Sequence, residues 1–501
     1  MGANQGFQDW MPSQFADAVD NARGFMQPDR YDDDGTLPRD AQGWPLAPSR
    51  LVCWTTTGQL DFPINQVFKG SYTGPGEIRS EIAGTDIRNL VRSGNNVTFD
   101  VVVTSWPLPG VFAFSGPVQN VKILFPGTGS NYLRPEAAAQ GGLFWVHRFM
   151  QAAGILDSNR EITWASRKPA GYRSGYKPWE SIFQWLMGYV NAPGSRTRAG
   201  WFQVPRMADA NYQIQLAQLA AASLPGNVIQ YWGLGNELWN NIYQPFFGPQ
   251  GMGQPYNRAN NTADPDFARI NTPPTDAYER MNRLIALEFA RMAKRFLSVF
   301  GQGAFGTRLR PVLEAQHANP WMITTPLSWL SLPAQVAEFG PVNSYCWSIS
   351  SAPYPGGEWA EMDEVRSPTP ESIVAGLRSG YSYDLPFMLA AADQWLAVKN
   401  QYGIPELTAY EGIGPHTDGP FAQANSVNKY GAHIHPDMRR LVADSGRGLR
   451  DRGYGACCYF VGYTGAYNPQ DLFSLWTVNQ RFGEDSPKML GVKDLIALSG
   501  V

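Results

Sequence analysis

The feature that most constrains the fold is a regular alternation of short apolar strands and amphipathic helices after Gly127. Runs of β-branched and aromatic residues that end in turn signals predict the strands. The segments between them have helical periodicity, most clearly from Asp276 to Gly301, where Glu279 completes a predicted capping box. Alternating strands and helices with right-handed crossovers build a parallel barrel. We therefore predict an α/β fold of the (β/α)8 TIM barrel class.

The predicted strands can be counted from the turn signals. A short run at residues 2–4, followed by a predicted helix over residues 13–25, is a candidate first strand, and the count then closes at eight. The eight strands are predicted at residues 2–4, 144–150, 200–205, 228–234, 310–315, 342–347, 406–410 and 455–462.

A second kind of pattern interrupts the barrel. Residues 40–127 contain short alternating runs with Gly/Pro turns and no long helical period, which is typical of antiparallel β-structure. We predict an inserted β-sandwich subdomain at 40–127, with residues 1–39 and 128–501 forming the barrel.

Two glutamates follow predicted strands. Glu237 ends the run VIQYWGLGNELWNN between Trp232 and Trp239, where an apolar environment would favour the protonated form and make it a proton donor. Glu411 ends a later strand in PELTAYEGIGP. Because the carboxyl ends of barrel strands meet at one face, we expect the two to form a pair. Two carboxyl groups about 5–5.5 Å apart are the apparatus of a retaining glycosidase.

The order of these motifs resembles the large clan of glycoside hydrolases with (β/α)8 barrels, in which the acid/base lies on strand four and the nucleophile on strand seven. The chain is similar to uncharacterised bacterial secreted members of that clan with an inserted β-sandwich. The motifs that carry this resemblance are Arg148-Phe149-Met150, Trp164-Ala165-Ser166-Arg167 and Asn236-Glu237-Leu238-Trp239-Asn240.

The resemblance implies roles for individual residues. Glu237 would be the acid/base, Glu411 the nucleophile, and Arg148 the partner that keeps Glu411 ionised. Asn236 would hold a sugar 2-hydroxyl, and Tyr345 would be the hydroxyl partner of Glu411, unless Trp347 on the same strand lines the site instead. The further predicted substrate-binding residues are Trp239 and His317, which is otherwise a core histidine. Three more tryptophans are sugar platforms or loop packing, and Trp476 among them would form the floor of the −1 subsite: Trp164, Trp321 and Trp476.

The amino-acid composition limits the classes of molecule that the protein is expected to bind. The 17 tryptophans suit sugar faces, whereas a net charge of −3 provides no basic surface for nucleic acid. No apolar run reaches the ~18 residues of a membrane span. The N-terminus has no signal peptide pattern, so we expect either a secreted or periplasmic protein whose leader was removed, or a cytoplasmic one. The four cysteines form neither a disulfide framework nor a zinc motif.

The sequence thus predicts a retaining glycoside hydrolase acting on a polysaccharide or oligosaccharide, with endo-β-glycanase activity preferred. An exo-acting glycosidase of the arabinofuranosidase type is an alternative, and a carbohydrate-binding protein on a non-catalytic hydrolase scaffold is another. The two-glutamate chemistry needs no metal or organic cofactor. The sequence indicates no sugar specificity and no oligomeric state.

Overall fold

The computed structural model describes most of the chain. The described residues are 1–5, 14–22, 24–31, 35–54, 63–105, 110–129, 131–150, 162–172, 177–240, 253–417, 424–460, 462, 475 and 477–498. Within them, no helix is long and apolar enough to cross a membrane.

The chain starts with strand β1 (Gly2–Gln5) and then enters two four-stranded antiparallel sheets. Tyr72 of one sheet packs edge-on against Phe114 of the other, with ring centroids 5.6 Å apart, inside a shared apolar core. The first sheet has the order β2-β3-β8-β5 and the second β6-β7-β4-β9, with β2 Gly24–Met26, β3 Ser49–Trp54, β4 Val67–Thr73, β5 Ile78–Ser80, β6 Thr85–Ser93, β7 Asn96–Val103, β8 Gly110–Phe114 and β9 Gln119–Leu124.

The predicted helix over residues 13–25 is wrong in extent. The described part of this segment has only a short helix, Ala18–Asn21, whose N-cap Asp17 also accepts a hydrogen bond from the Ile123 backbone N–H at 3.0 Å. Gly24, with φ 122°, then turns the chain into β2, which pairs with β3. The antiparallel sheet β2-β3-β8-β5 therefore includes residues that precede position 40.

The barrel strands close into a ring by parallel pairing, with β1 hydrogen-bonded to both β10 (Val146–Phe149) and β16 (Tyr454–Tyr459). This confirms the predicted (β/α)8 architecture with its additional antiparallel sheets. The remaining barrel strands are β11 Ala199–Val204, β12 Ile229–Leu234, β13 Leu309–Glu314, β14 Ser348–Ser351 and β15 Glu406–Ala409.

The longest of the helices that cover the barrel begins and ends at the residues expected from the sequence. The longest, Ala277–Phe300, is capped by Asp276 and ends at Gly301, but Glu279 binds Thr275 and Arg283 and does not complete a capping box. The other helices are Pro135–Gly141, Trp179–Val190, Ala210–Ser223, Gly253–Ala259, Phe267–Ile270, Trp321–Leu330, Pro333–Phe339, Pro370–Arg378, Leu385–Tyr402, Ser426–His433, Met438–Asp451 and Pro487–Leu498.

The sixth barrel strand lies later than predicted. Val342–Ser344, within the predicted strand at 342–347, forms a turn of 3₁₀ helix, and the strand is Ser348–Ser351. Its serines can be buried at little cost because they are hydrogen-bonded to the next strand: Ser348 Oγ lies 2.8 Å from Thr408 Oγ1, and Ser350 Oγ donates to the Thr408 carbonyl at 3.0 Å. A strand whose buried side chains are mostly hydrogen-bonded serines has no continuous apolar pattern, so its sequence did not predict it.

Candidate active site

Three buried carboxyl groups and one buried guanidinium meet at the carboxyl ends of the barrel strands. Glu237 follows β12, Glu314 ends β13, Glu411 follows β15, and Arg148 lies on β10. The Arg148 guanidinium rests over the rings of Trp201 and Tyr410, which fill the barrel interior beneath it. The structure therefore brings Arg148, Glu237 and Glu411 together as the sequence predicted, and adds Glu314.

Arg148 distributes its charge over several partners. Its Nη2 donates to Asn236 Oδ1 at 2.8 Å and to Glu314 Oε2 at 3.3 Å, while Nη1 lies 3.6 Å from Glu411 Oε2. Burial lowers the pKa of Arg148, but the charges of Glu314 and Glu411 outweigh this and raise the pKa overall. Arg148 thus remains the cation of the site.

The backbone conformation of Glu237 and two hydrogen-bond donors fix the orientation of its side chain. It has φ 46°, in the left-handed region that is costly for a residue with a side chain, and it follows Gly235 with φ 64°. The Tyr410 hydroxyl donates to Glu237 Oε1 and the Asn240 amide donates to Oε2, both at 2.9 Å. The strained turn and these two donors orient the carboxyl group.

The Glu237 and Glu411 carboxyl groups are close enough to affect each other electrostatically. Burial raises the pKa of Glu411 well above its usual range, and the neighbouring Glu237 carboxyl raises it further, although Arg148 opposes the shift. Arg148, which the sequence predicted to keep Glu411 ionised, favours ionisation, but burial and Glu237 outweigh it. Glu411 therefore retains its proton to higher pH than an isolated glutamate does.

Sequence reasoning missed Glu314, Gln203 and Tyr410. Glu314 accepts a 2.5 Å hydrogen bond from Gln203 Nε2, and burial raises its pKa although Arg148 and Gln203 favour the ionised form. Glu314 and Gln203 are polar residues near the ends of otherwise apolar predicted strands. Because such ends meet at one face of a barrel, that signal was sufficient to find them.

Tyr345 and Trp347 lie at the amino end of the sixth strand, so their predicted place in the site is wrong. Tyr345 is fully buried against Phe339, with ring centroids 6.2 Å apart. Trp347 Nε1 donates to Glu406 Oε2 at 2.6 Å, and Glu406 is the first residue of β15. Both side chains precede a strand whose carboxyl end is at Ser351. The tyrosine near the carboxyl pair is Tyr410, and its hydroxyl bonds Glu237.

His317 has both ring nitrogens engaged by protein atoms. Nε2 lies 2.9 Å from the Met388 carbonyl and Nδ1 lies 2.9 Å from Ser351 Oγ. A carbonyl only accepts, so Nε2 carries the proton and Nδ1 accepts from the serine. Burial lowers the pKa of His317 to about 4, which keeps the ring neutral at pH 7. His317 joins the loop after β13 to β14 and to helix Leu385–Tyr402.

The tryptophans divide among different environments. Trp232 packs against Phe202 and Phe296 in the layer between strands and helices, so it does not flank Glu237 as predicted. Trp164 packs edge-on against Tyr212 and under Arg167, as a loop-packing residue does. Trp239 is half-buried and lines a cavity with Glu237. Trp476 lies outside the described residues.

The described residues contain no group of three side chains able to hold a metal ion. No family model matches the sequence. No curated protein matches it either.

Three solved structures align with most of the chain. One is a Podospora anserina GH26-CBM35 β-(1,4)-mannanase, with 10% identity, coverage of 93% of this chain and 94% of that chain, and a TM-score of 0.27. Another is an arabinose-bound GH51 α-L-arabinofuranosidase, with 10% identity, coverage of 91% and 73%, and a TM-score of 0.38. The third is an agarase, with 8% identity, coverage of 90% and 93%, and a TM-score of 0.32. These three neighbours are glycoside hydrolases, but at such low similarity they assign neither a substrate nor catalytic residues to this chain.

Proposed function

We propose that the protein is a retaining glycoside hydrolase that cleaves a polysaccharide or oligosaccharide, with Glu411 as nucleophile and Glu237 as acid/base. One observation carries the proposal: two buried glutamates from the ends of β12 and β15 lie beside the buried Arg148 and Tyr410, with Arg148 Nη1 3.6 Å from Glu411 Oε2 and the Tyr410 hydroxyl donating to Glu237 Oε1. Such a pair supplies one proton and one negative charge, which are what the two steps of retaining hydrolysis require.

The location of the proton follows from the position of Arg148. Arg148 Nη1 lies 3.6 Å from Glu411, whereas Glu237 accepts hydrogen bonds from the neutral donors Tyr410 and Asn240. A positive charge favours ionisation of the nearer carboxyl group. Once an anomeric carbon separates the two groups, we expect the negative charge on Glu411 and the proton on Glu237.

The proposed reaction then has two steps. Glu411 attacks the anomeric carbon while Glu237 protonates the departing glycosidic oxygen, which gives a glycosyl ester of Glu411 and breaks the glycosidic bond. Glu237, now ionised, removes a proton from water as it attacks the same carbon and releases Glu411. The buried Asn236 Nδ2 has no protein acceptor in the described structure, so it is available to donate to a sugar hydroxyl.

Reducing-sugar release from a panel of plant, algal and bacterial polysaccharides tests this function. We expect cleavage of at least one polymer by the wild-type protein, with the product initially formed in the configuration of the substrate by NMR. Product size distinguishes endo- from exo-action. Initial inversion of configuration contradicts the retaining mechanism, and a panel without any cleavage argues for the alternative of a carbohydrate-binding protein.

Replacing Tyr410 with phenylalanine tests the hydrogen bond that positions the acid/base Glu237. Tyr410→Phe removes the donor to Glu237 Oε1, which becomes a carboxylate once Glu237 has given its proton to the leaving group. We expect turnover to fall about 10- to 100-fold, the usual range for a hydrogen bond to a charged group. Steady-state rates on the cleaved polymer measure this loss. Tyr345→Phe is the matched control, because its buried hydroxyl has no partner in the described structure. Equal rates for the two variants would contradict the role of Tyr410.

A further inference from the structure

A small cavity lies beside Glu237, between the ends of β12 and β13 and the helix Ala277–Phe300. Most of its wall is apolar, including Leu238, Phe289 and Met322. Its volume is ≈ 20 Å³. One water molecule needs roughly 10–15 Å³, so the cavity has room for a hydroxyl or hydroxymethyl group and not for a whole sugar ring.

Asn282 faces this cavity from the second turn of the helix. It is 2% exposed and shares its helix face with Ile285 and Phe289, which also line the cavity. Its Nδ2 has no hydrogen-bond partner among the described residues. A buried amide without a partner destabilises a fold, and a leucine of similar shape would not. Asn282 therefore lacks a structural explanation within the protein itself.

The other polar groups of the wall complement Asn282. Trp239 Nε1 is a second buried donor without a partner in the described structure. Glu314 also lines the cavity, and its oxygens retain accepting capacity beyond the bonds from Arg148 and Gln203. Two free donors and one acceptor match a hydroxyl group, which accepts and donates at once, while the apolar wall suits the carbon that bears it.

We propose that this cavity binds a hydroxyl-bearing substituent of the leaving-group sugar, held by Asn282, Trp239 and Glu314. The inference rests on the proposed glycosidase function, because the side is assigned from the role of Glu237. The wall includes Glu237, which would protonate the departing oxygen, whereas the described wall does not include Glu411. A sugar on the Glu237 side of the cleaved bond is the one that leaves.

Binding measurements on the full chain carrying Glu411→Gln test the proposal. The probes are cellotetraose, mannotetraose, xylotetraose, arabinotetraose and agarotetraose, titrated calorimetrically. Asn282→Leu and Trp239→Phe each remove one donor while keeping much of the shape, and we expect each to weaken binding about two- to tenfold. Met281→Leu, on the same helix but outside the described wall, is the control and should leave the affinity unchanged.

Thermal unfolding separates binding from a structural role. Asn282→Leu removes an unpaired buried amide, so its unfolding midpoint should equal or exceed that of the parent. A lower midpoint with unchanged affinity would make Asn282 structural and overturn the proposal. Unchanged affinity in both variants would mean that the cavity holds only water, and would leave the glycosidase function standing. No binding of any probe, together with no cleavage by the wild-type protein, would overturn both.

Discussion

Glu411→Gln is expected to abolish turnover of every glycan that the wild-type protein cleaves. An amide cannot form the glycosyl ester, and loss of a nucleophile in covalent hydrolases reduces turnover by about 10⁴-fold or more. Initial rates on the polymer identified by the panel, measured with enough protein to detect a 10⁴-fold loss, give the result. Activity within tenfold of the wild type would remove Glu411 from the mechanism.

The same substitution is expected to stabilise the fold at neutral pH. Burial and the adjacent Glu237 raise the pKa of Glu411, so the wild-type protein loses stability as the pH rises from the usual glutamate range through the folded pKa. A glutamine cannot ionise and avoids that loss. The midpoint of Glu411→Gln should therefore exceed the wild-type midpoint at pH 7, and the difference should shrink towards pH 4.

Glu406→Gln is the matched control, because it makes the same change at the opposite end of the same strand. Glu406 pairs with Arg310 at 3.3 Å and accepts hydrogen bonds from Tyr231 and Trp347. Removing one partner of a largely buried ion pair is destabilising, so this variant should be less stable at pH 7 and should retain activity. If Glu411→Gln also lowered the stability at pH 7, this would contradict the conclusion that Glu411 and Glu237 form an electrostatically unfavourable pair.

Sequence reasoning succeeded where an apolar strand ended in a polar residue. Strands β12 and β15 have β-branched and aromatic residues followed by Glu237 and Glu411, so both the strands and the position of the carboxyl groups could be read. It failed at β14, where the core-facing residues are serines that bond Thr408. The segment at 342–347, which precedes β14, was predicted as the strand, and the positions predicted for Tyr345 and Trp347 were therefore wrong.

The remaining errors concern contacts between distant segments. The donation from Tyr410 to Glu237 and the sharing of Arg148 between Asn236 and Glu314 depend on the register of neighbouring strands. A single sequence contains no direct signal for that register. Similarly, His317 follows a strand as a site residue would, but the tertiary structure provides partners for both of its nitrogens.

Glu237→Gln is expected to slow cleavage of natural glycans by about 10²- to 10⁴-fold, the contribution of a general acid or base. A sugar leaving group needs a proton, whereas a dinitrophenolate leaves without one. With a dinitrophenyl glycoside of the same sugar, formation of the ester on Glu411 should therefore persist. Its hydrolysis should be slow, because no base activates water. Stopped-flow absorbance should show a burst of dinitrophenolate equal to the enzyme concentration, and mass spectrometry should detect the glycosylated protein.

This variant also separates catalysis from simple sugar binding, because the two functions predict different results. In a hydrolase, Glu237→Gln changes turnover according to the leaving group, and Glu411→Gln gives neither burst nor adduct. In a carbohydrate-binding protein, both substitutions alter affinity alone. Electrostatics favour the result expected of a hydrolase. Two carboxyl groups buried close together destabilise the fold, and a site that only binds sugars could use amides instead, which do not ionise. A burst in the Glu411→Gln protein would assign the nucleophile to another carboxyl group, with Glu314, 3.3 Å from Arg148, as the nearest candidate in position.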